Sequence, residues 1–186
     1  MSHEILAVDD ELHMLRLLEQ IIREKTAYDI ITTHNALEVP ERLEENQFKL
    51  IITDLCMPGL TGLDILRLVQ ERGRTEEVII ITAFGSLDTA TEAFRLGAYD
   101  YILKPFRKER LLVSIERVMR FQKCKTTGGF YDQLLGTTPY QLALDQFRRD
   151  YIFHLSHVTQ GDVEEMARRS GLSTEEIEEV LRRRSK

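Results

Sequence analysis

The sequence predicts an α/β fold, a five-stranded parallel doubly wound sheet with helices on both faces, followed by a small all-α unit. Two observations predict the sheet. Five short apolar runs alternate with amphipathic helical segments, and the runs are apolar at consecutive positions, as in strands buried on both faces. A third observation, that only helical periodicity follows residue 137, predicts the second unit.

Each predicted strand is followed by one predicted helix. The strands comprise residues 5–8, 28–33, 50–52, 78–81 and 99–103. The helices comprise approximately residues 12–22, 36–45, 63–73, 86–96 and 107–124. Ser86 is a suitable N-cap for the fourth helix, and Gly97 a suitable end. Pro40 is expected either to start the second helix or to kink it.

The helical unit follows a Thr- and Gly-rich segment that begins at Thr126. Thr138 and Pro139 predict the start of a long amphipathic helix, and a short helix follows Gly161. The capping box Ser173-x-x-Glu176 predicts a last helix. The predicted divisions of the chain are an α/β domain, a linker and a helical domain, at residues 1–124, 125–136 and 137–186.

Composition narrows the possible locations and partners. The chain has 186 residues, 42% of them hydrophobic and 30% charged, with a formal net charge of −6. This balance is typical of a soluble globular protein and argues against a generally basic nucleic-acid-coating protein. Cys56 and Cys124 lie far apart, which favours a reducing compartment. With no membrane-spanning run of ~18 apolar residues and no signal-peptide pattern, we expect a cytoplasmic location and no membrane partner.

Charged or hydroxyl side chains stand where four of the predicted strands end. The first strand ends in Asp9 and Asp10, the third in Asp54, the fourth in Thr82 and the fifth in Lys104. The carboxyl ends of parallel strands share one edge of a sheet, where ligands bind in this class of fold. We therefore expect these residues to meet. For Asp54 alone, the alternative is that it caps the turn after its strand.

The expected group of side chains suits a metal ion and a phosphoryl group. Three carboxylates in one place repel one another, and a divalent cation relieves that repulsion. Mg²⁺ prefers carboxylate, water and phosphate oxygens, while the Thr82 hydroxyl and the Lys104 ammonium suit phosphoryl oxygens. One carboxylate could then act as a nucleophile and form an aspartyl phosphate.

Four motifs, each behind an apolar strand, make the chain similar to a known family. They are Asp9-Asp10, Asp54-x-x-Met57-Pro58-Gly59, Thr82-Ala83 and Lys104-Pro105-Phe106. Over residues 4–123 the chain resembles the receiver domain of two-component response regulators, which has a flavodoxin-like fold. Residues 85–88 and 97–101 most resemble receivers of the nitrogen-regulation type.

This resemblance implies a phosphoacceptor and a set of metal ligands. Asp54 is the expected phosphoacceptor, and a sensor histidine kinase is the expected donor. Asp10 and Asp54 are expected to bind Mg²⁺ directly, helped by the backbone carbonyl of Cys56, while Asp9 acts through water. A redox role is the alternative for the Cys56 thiol. No enzymatic activity is expected beyond phosphorylation and dephosphorylation of Asp54 itself.

The resemblance also implies which residues respond to the phosphoryl group. Thr82 is expected to hold a phosphoryl oxygen, and Lys104 to pair with the phosphate or with Asp54. The bond from Lys104 to Pro105 is expected to be cis. Tyr101 is the expected switch residue, which turns inward as Thr82 moves towards the phosphate; its alternative is an ordinary half-buried strand tyrosine.

The sequence allows two interpretations of the function of the helical unit. Residues 149–152 and 161–173 resemble a Fis-type helix-turn-helix, which would bind DNA directly. From Thr137 onward, however, eight basic residues are outnumbered by nine acidic ones, so the unit lacks the positive charge that phosphate binding uses. Four of the acids lie in the expected recognition helix: Glu175, Glu176, Glu178 and Glu179. A protein-contacting module or a homodimerising one is therefore the other interpretation.

Two further classes of function fit the sequence less well. A phosphohydrolase of the haloacid-dehalogenase type also uses an aspartyl nucleophile, but it carries a second acid two residues later, where this chain has Cys56. A nucleotide-driven transcription activator would need a Gly-x-x-x-x-Gly-Lys phosphate loop, and the sequence contains none.

Overall fold

The computed structural model describes residues 4–127 and 139–182, apart from the side chains of residues 124–127, 139–143 and 146. Its five strands form one parallel sheet in the order β2-β1-β3-β4-β5. Their bounds are β1 Ile5–Val8, β2 Ile30–Thr33, β3 Leu50–Thr53, β4 Glu77–Thr82 and β5 Asp100–Leu103. The predicted α/β sheet is confirmed. Strand order reverses between β1 and β3, the point at which such sheets bind ligands.

Helices cover both faces of the sheet because alternate strand residues point to opposite faces. Helices α1 (Leu12–Lys25) and α5 (Lys108–Thr127) bury their apolar stripes on one face. Helices α2 (Val39–Glu45), α3 (Gly62–Glu71) and α4 (Leu87–Arg95) bury theirs on the other. Both sides of the central strands are therefore buried, which explains their uninterrupted apolar sequences.

The local signals for helix ends act as expected in two places. Pro40 lies in the first turn of α2, after a 3₁₀ turn at Ala36–Glu38, so it starts the helix without kinking it. Ser86 caps α4 and accepts a hydrogen bond from the backbone N–H of Thr89 at 3.1 Å. These caps fix where the loops at the carboxyl edge of the sheet end.

Helix α5 is longer than its sequence predicts. It continues to Thr127, so residues 125–127 are helical where the start of a linker is expected. The rest of that predicted linker, residues 128–136, lies outside the described residues, as do Thr138 and the basic residues 183, 184 and 186. Of the two cysteines, Cys56 is an exposed free thiol, and the side chain of Cys124 is outside the description.

Three further helices follow: α6 (Pro139–Val158), α7 (Val163–Ser170) and α8 (Thr174–Arg182). Gly171 ends α7 with φ of 70°, a left-handed conformation that favours glycine. The predicted capping box opens α8, since the Ser173 N–H donates to Glu176 Oε2 at 2.9 Å and the Glu176 N–H donates to Ser173 Oγ at 3.3 Å. No helix within the described ranges is long and apolar enough to cross a membrane.

The helical unit shares an apolar core with the sheet domain. Helix α6 contacts α4 and β5, and its buried side chains belong to the same apolar cluster as that face of the sheet. They are Phe147, Tyr151, Ile152 and Leu155. Met166 from α7 and Ile177 from α8 are fully buried in the same cluster. The sequence predicts these helices but not the surface on which they pack.

Gly62 is the tightest backbone approach near the carboxyl edge of β3. A Cβ at this position would overlap the carbonyl oxygen of Asp54 and lie 3.1 Å from Leu55 Cα. We expect Gly62→Ala to lower the free energy of unfolding by about 2–3 kcal/mol, because backbone would have to move. Urea unfolding monitored by circular dichroism measures this loss.

Gly73→Ala is the matched control for Gly62→Ala. Nothing lies within 4 Å of a Cβ built at Gly73, whose φ is +59°, so this variant meets only the backbone strain of about 1 kcal/mol. Equal losses in the two variants would contradict the steric account of Gly62.

Candidate functional site

The strand register brings the two acidic strand ends together. Val8 pairs with Thr53, and Thr53 pairs with Ile80. Asp9 and Asp54 directly follow β1 and β3, so they lie next to each other at the carboxyl edge of the sheet. Both side chains are almost completely buried. Two buried carboxylates that lie side by side at the edge of the sheet need a compensating positive charge.

Lys104 supplies that charge. Its Nζ donates hydrogen bonds to Asp9 Oδ2 at 2.8 Å and to Asp54 Oδ2 at 2.7 Å. Its side chain is only 10% exposed. Lys104 directly follows β5, and its backbone N–H donates a hydrogen bond to the carbonyl of Thr82 at 2.8 Å. The peptide bond from Lys104 to Pro105 is cis, as expected. The structure therefore joins the ends of β1, β3 and β5 through one ammonium group.

Asp10 completes a group of three carboxylates. Asp9, Asp10 and Asp54 each offer an oxygen within 4.8 Å of the others, and Asp10 is exposed. Asp9 Oδ1 accepts from the Glu11 N–H at 2.9 Å, and Asp54 Oδ1 accepts from the Cys56 N–H at 3.2 Å. A donor set made of carboxylate oxygens, open to solvent on one side, fits a hard divalent cation such as Mg²⁺.

Burial and pairing set the protonation of these groups. Burial raises the pKa of Asp9, against the lowering effect of hydrogen bonds from Lys104 and from the backbone of Glu11. Burial lowers the pKa of Lys104, but the hydrogen bonds to Asp54 and Asp9 outweigh it, so that the pKa is raised overall. Lys104 is therefore protonated at neutral pH, and its positive charge compensates the carboxylates of Asp9 and Asp54.

The Cys56 thiol is not activated. Burial raises its pKa, and the charges of Asp54 and Asp10 raise it further. The reactive species of cysteine is the thiolate, which this environment disfavours at neutral pH. The structure therefore argues against a redox role for Cys56, while the expected metal ligation by its backbone carbonyl stays a prediction.

Thr82 lies at the end of β4, fully buried beside the strand that carries Lys104. Its Oγ1 accepts a hydrogen bond from the Phe84 N–H at 3.1 Å. A hydroxyl that accepts this bond keeps its own proton available for donation. Thr82 is thus suited to donate to an anionic oxygen at the sheet edge.

Tyr101 is buried more deeply than an ordinary half-buried strand tyrosine, with 1% of its surface exposed. Its hydroxyl shares a hydrogen bond with Thr89 Oγ1 of α4 at 2.9 Å. Its ring lies edge-on to Phe147, with centroids 4.9 Å apart at an interplanar angle of 76°. Burial raises the pKa of Tyr101 to about 12. The inward position of this side chain is therefore fixed from two sides.

Several residues around the site were not found by sequence reasoning. Thr89 and Phe147 are ordinary helix residues whose contacts with Tyr101 depend on how α4 and α6 pack. Asp100 is another, because it accepts two hydrogen bonds from Arg110, at 2.6 and 2.8 Å. Arg110 also donates to Asp150 of α6 at 3.4 Å. For Arg110 and its two acidic partners, the sequence signal would be the pairing of opposite charges in distant elements.

Comparison with known proteins agrees with this geometry. The family model described as "Response regulator receiver domain" matches residues 5–116. The match ends within α5, so α6, α7 and α8 lie outside it. The protein named "Response regulator protein PilR" from Pseudomonas aeruginosa is 36% identical over 140 residues, which cover 75% of this chain and 31% of that protein. The chain spans between about a quarter and a half of the curated relatives it matches.

Solved structures show the same architecture. The signal receiver domain of a putative Luxo repressor protein from Vibrio parahaemolyticus matches with a TM-score of 0.65 and 28% identity, covering 68% of this chain and 97% of that one. The beryllofluoride-activated NtrC4 receiver domain dimer matches with a TM-score of 0.61 and 32% identity, covering 64% and 98%.

The raised pKa of Tyr101 predicts a pH-dependent contribution to stability. Because the folded state holds the phenol neutral, that contribution is complete below the unfolded pKa of about 10 and is lost as pH rises towards about 12. Tyr101→Phe cannot ionise and should cost about 1 kcal/mol at pH 8 through the lost Thr89 hydrogen bond. We expect the stability difference between the wild type and this variant to shrink by about 1 kcal/mol between pH 8 and pH 11.

Urea unfolding of both proteins at the two pH values measures this difference. Tyr99→Phe serves as the control. It also removes one phenol hydroxyl, directly before β5, but it leaves the hydrogen bond between Thr89 and Tyr101 in place. A difference between wild type and Tyr101→Phe that is constant with pH would contradict the account of a buried, neutral phenol.

Proposed function

The chain belongs to the response regulator receiver family, and from this premise we propose that Asp54 accepts a phosphoryl group from a sensor histidine kinase in a Mg²⁺-dependent reaction. The observation that carries the proposal is the position of Lys104, whose ammonium contacts both Asp9 and Asp54. Asp54 follows the central strand β3, and its second oxygen is held by the Cys56 N–H. It is therefore oriented, charge-compensated and next to the open side of the pocket.

The proposed reaction transfers a phosphoryl group between two protein side chains. An oxygen of the Asp54 carboxylate forms a bond to phosphorus as the P–N bond of a phosphohistidine breaks, and the imidazole leaves with the electron pair. Asp10 and Asp54, with Asp9 behind them, are the residues that would hold Mg²⁺. The bound ion would neutralise charge on the phosphoryl oxygens.

The remaining side chains stabilise the product. Lys104 can turn from the Asp54 carboxylate to a phosphoryl oxygen, because its ammonium group has three donors and its bonds to Asp9 and Asp54 use two of them. The Thr82 hydroxyl donates to a second phosphoryl oxygen. Phosphorylation then changes the relative populations of two receiver states, in which the loop after Thr82 and the Tyr101 side chain differ.

For the C-terminal helices we propose a protein-contacting role. Helix α6 already packs against the receiver domain through its apolar side. The exposed side of α8, where a DNA-binding helix-turn-helix reads bases, carries Glu175, Glu176, Glu178 and Glu179. Carboxylates there would oppose the phosphates of DNA. A second copy of the chain is one candidate partner, and a separate target protein is another.

The phosphoacceptor assignment predicts the outcome of a labelling experiment. With Mg²⁺ and acetyl phosphate, the wild type should form an acid-stable, base-labile adduct, and Asp54→Asn should label only at background level because the nucleophile is absent. Asp29→Asn is the matched control, since Asp29 is an exposed carboxylate at the opposite edge of the sheet. Undiminished labelling of Asp54→Asn would assign the phosphoryl group to another residue.

The protein-contacting role predicts that DNA does not bind. In titrations of random and genomic DNA at about 50 mM salt, which favours phosphate contacts, we expect no saturable binding by the wild type with or without acetyl phosphate. Fluorescence anisotropy of labelled DNA measures it. Salt-sensitive binding that is lost in Arg168→Ala and Arg169→Ala, which remove the two arginines of α7, would instead establish a DNA-binding role.

A further inference from the structure

Tyr101 connects the loop that follows Thr82 to the C-terminal helices. On one side, its ring lies against Gly85 in the loop between β4 and α4. A Cβ built at Gly85 would lie 3.0 Å from Tyr101 Cε1 and 3.2 Å from its hydroxyl oxygen. Gly85 is three residues from Thr82, so the position of the Tyr101 ring and the path of this loop depend on each other.

On its other side, Tyr101 contacts Phe147 of α6. The Phe147 ring is 1% exposed and lies edge-on to Tyr101. It also lies edge-on to Phe94 of α4, with centroids 6.4 Å apart, and stacks on Tyr151 at 5.8 Å. Edge-on arrangements are favourable for aromatic pairs. Phe147 thus contacts aromatic rings of β5, α4 and α6 at once.

A second contact holds α6 in place independently of the aromatic rings. Arg110 of α5 binds Asp100 with two hydrogen bonds and reaches Asp150 of α6 at 3.4 Å. Asp100 directly precedes Tyr101 in β5, and it also accepts the Tyr101 N–H at 2.8 Å. Helix α6 is therefore attached both to the Tyr101 side chain and to the backbone beside it.

We propose that Phe147 is a positioning residue through which docking of the C-terminal helices and binding of a phosphoryl group at Asp54 favour each other. This inference rests on the proposed function of Asp54. With α6 docked, Phe147 keeps Tyr101 against Gly85, and the loop that follows Thr82 is ordered before the phosphoryl group binds. Without Phe147, Tyr101 gains room to leave, and that ordering has to occur at the moment of binding, which weakens it.

The coupling acts in both directions. If docked α6 strengthens binding at Asp54 by some factor, binding at Asp54 strengthens docking of α6 by the same factor. The C-terminal helices are then held more firmly on the surface of α4 and β5 when the receiver carries a phosphoryl group. A partner that needs this surface of the receiver would be excluded, while one that reads the docked helices would be favoured.

Beryllofluoride with Mg²⁺ is the probe, because it imitates a phosphoryl group without covalent chemistry. Isothermal titration of the full chain gives its affinity for the wild type, for Phe147→Ala and for Phe153→Ala. We expect Phe147→Ala to weaken binding about fivefold. Phe153 is a partly exposed phenylalanine of the same helix, and its replacement should leave the affinity unchanged.

Two measurements separate positioning from a general loss of stability. In a Tyr101→Ala background, Phe147→Ala should have no further effect on affinity, because its route to the site has been removed. Amide hydrogen exchange in α6 of the wild type should slow about fivefold when beryllofluoride is bound. Should Phe147→Ala fail to fold, Asp150→Asn loosens α6 through Arg110 alone, and about twofold weaker binding is expected.

The outcomes distinguish this inference from the function on which it rests. If the wild type does not bind beryllofluoride, the assignment of Asp54 is wrong. If the wild type binds it and Phe147→Ala binds equally well, or if α6 exchanges at the same rate in both states, the coupling through Phe147 is wrong. Tighter binding by Phe147→Ala would also overturn the proposal, since it would show that docking opposes binding.

Discussion

One ammonium group lies between carboxylates that come from different strands of a parallel sheet. Asp9 and Asp54 are both nearly buried, and Lys104 contacts each of them at hydrogen-bond distance. Without that contact, the folded chain would hold two uncompensated charges at its edge, at a considerable cost in free energy. The register of the sheet, the length of β5 and the turn at Pro105 all serve to place this nitrogen. The same arrangement gives Asp54 the charge environment that a phosphoryl acceptor needs.

The pocket is connected to the far end of the chain by packing. Thr82 ends β4, Gly85 lies in the loop that follows, the Tyr101 ring lies near Gly85, and Phe147 contacts Tyr101. A change at the sheet edge therefore meets the C-terminal helices after very few contacts, through elements that are closely packed. The proposed coupling between the pocket and α6 needs no long-range rearrangement of the sheet. The acidic surface of α8 then disfavours contact with DNA.

Much of the α/β domain follows from the sequence because its signals are local. Continuous apolar runs identify buried strands, and the parallel architecture alone gathers Asp9, Asp54 and Lys104 from distant positions. Ser86 and Pro40 mark helix starts through their own backbone chemistry. The end of α5 was harder to predict. Thr126 and Thr127 have low helix propensity, yet the helix continues through them from the preceding turns.

The tertiary contacts of the C-terminal helices could not be predicted in the same way. An apolar stripe on α6 shows that the helix is buried, but it does not identify the surface that buries it. For the same reason, no local pattern indicates that Phe147 contacts Tyr101. The most direct test of the central claim is to phosphorylate the full chain, reduce the acyl phosphate with borohydride and locate the resulting homoserine by mass spectrometry. Our account predicts homoserine at position 54, whereas homoserine at position 9 or 10, or at no position, would contradict it.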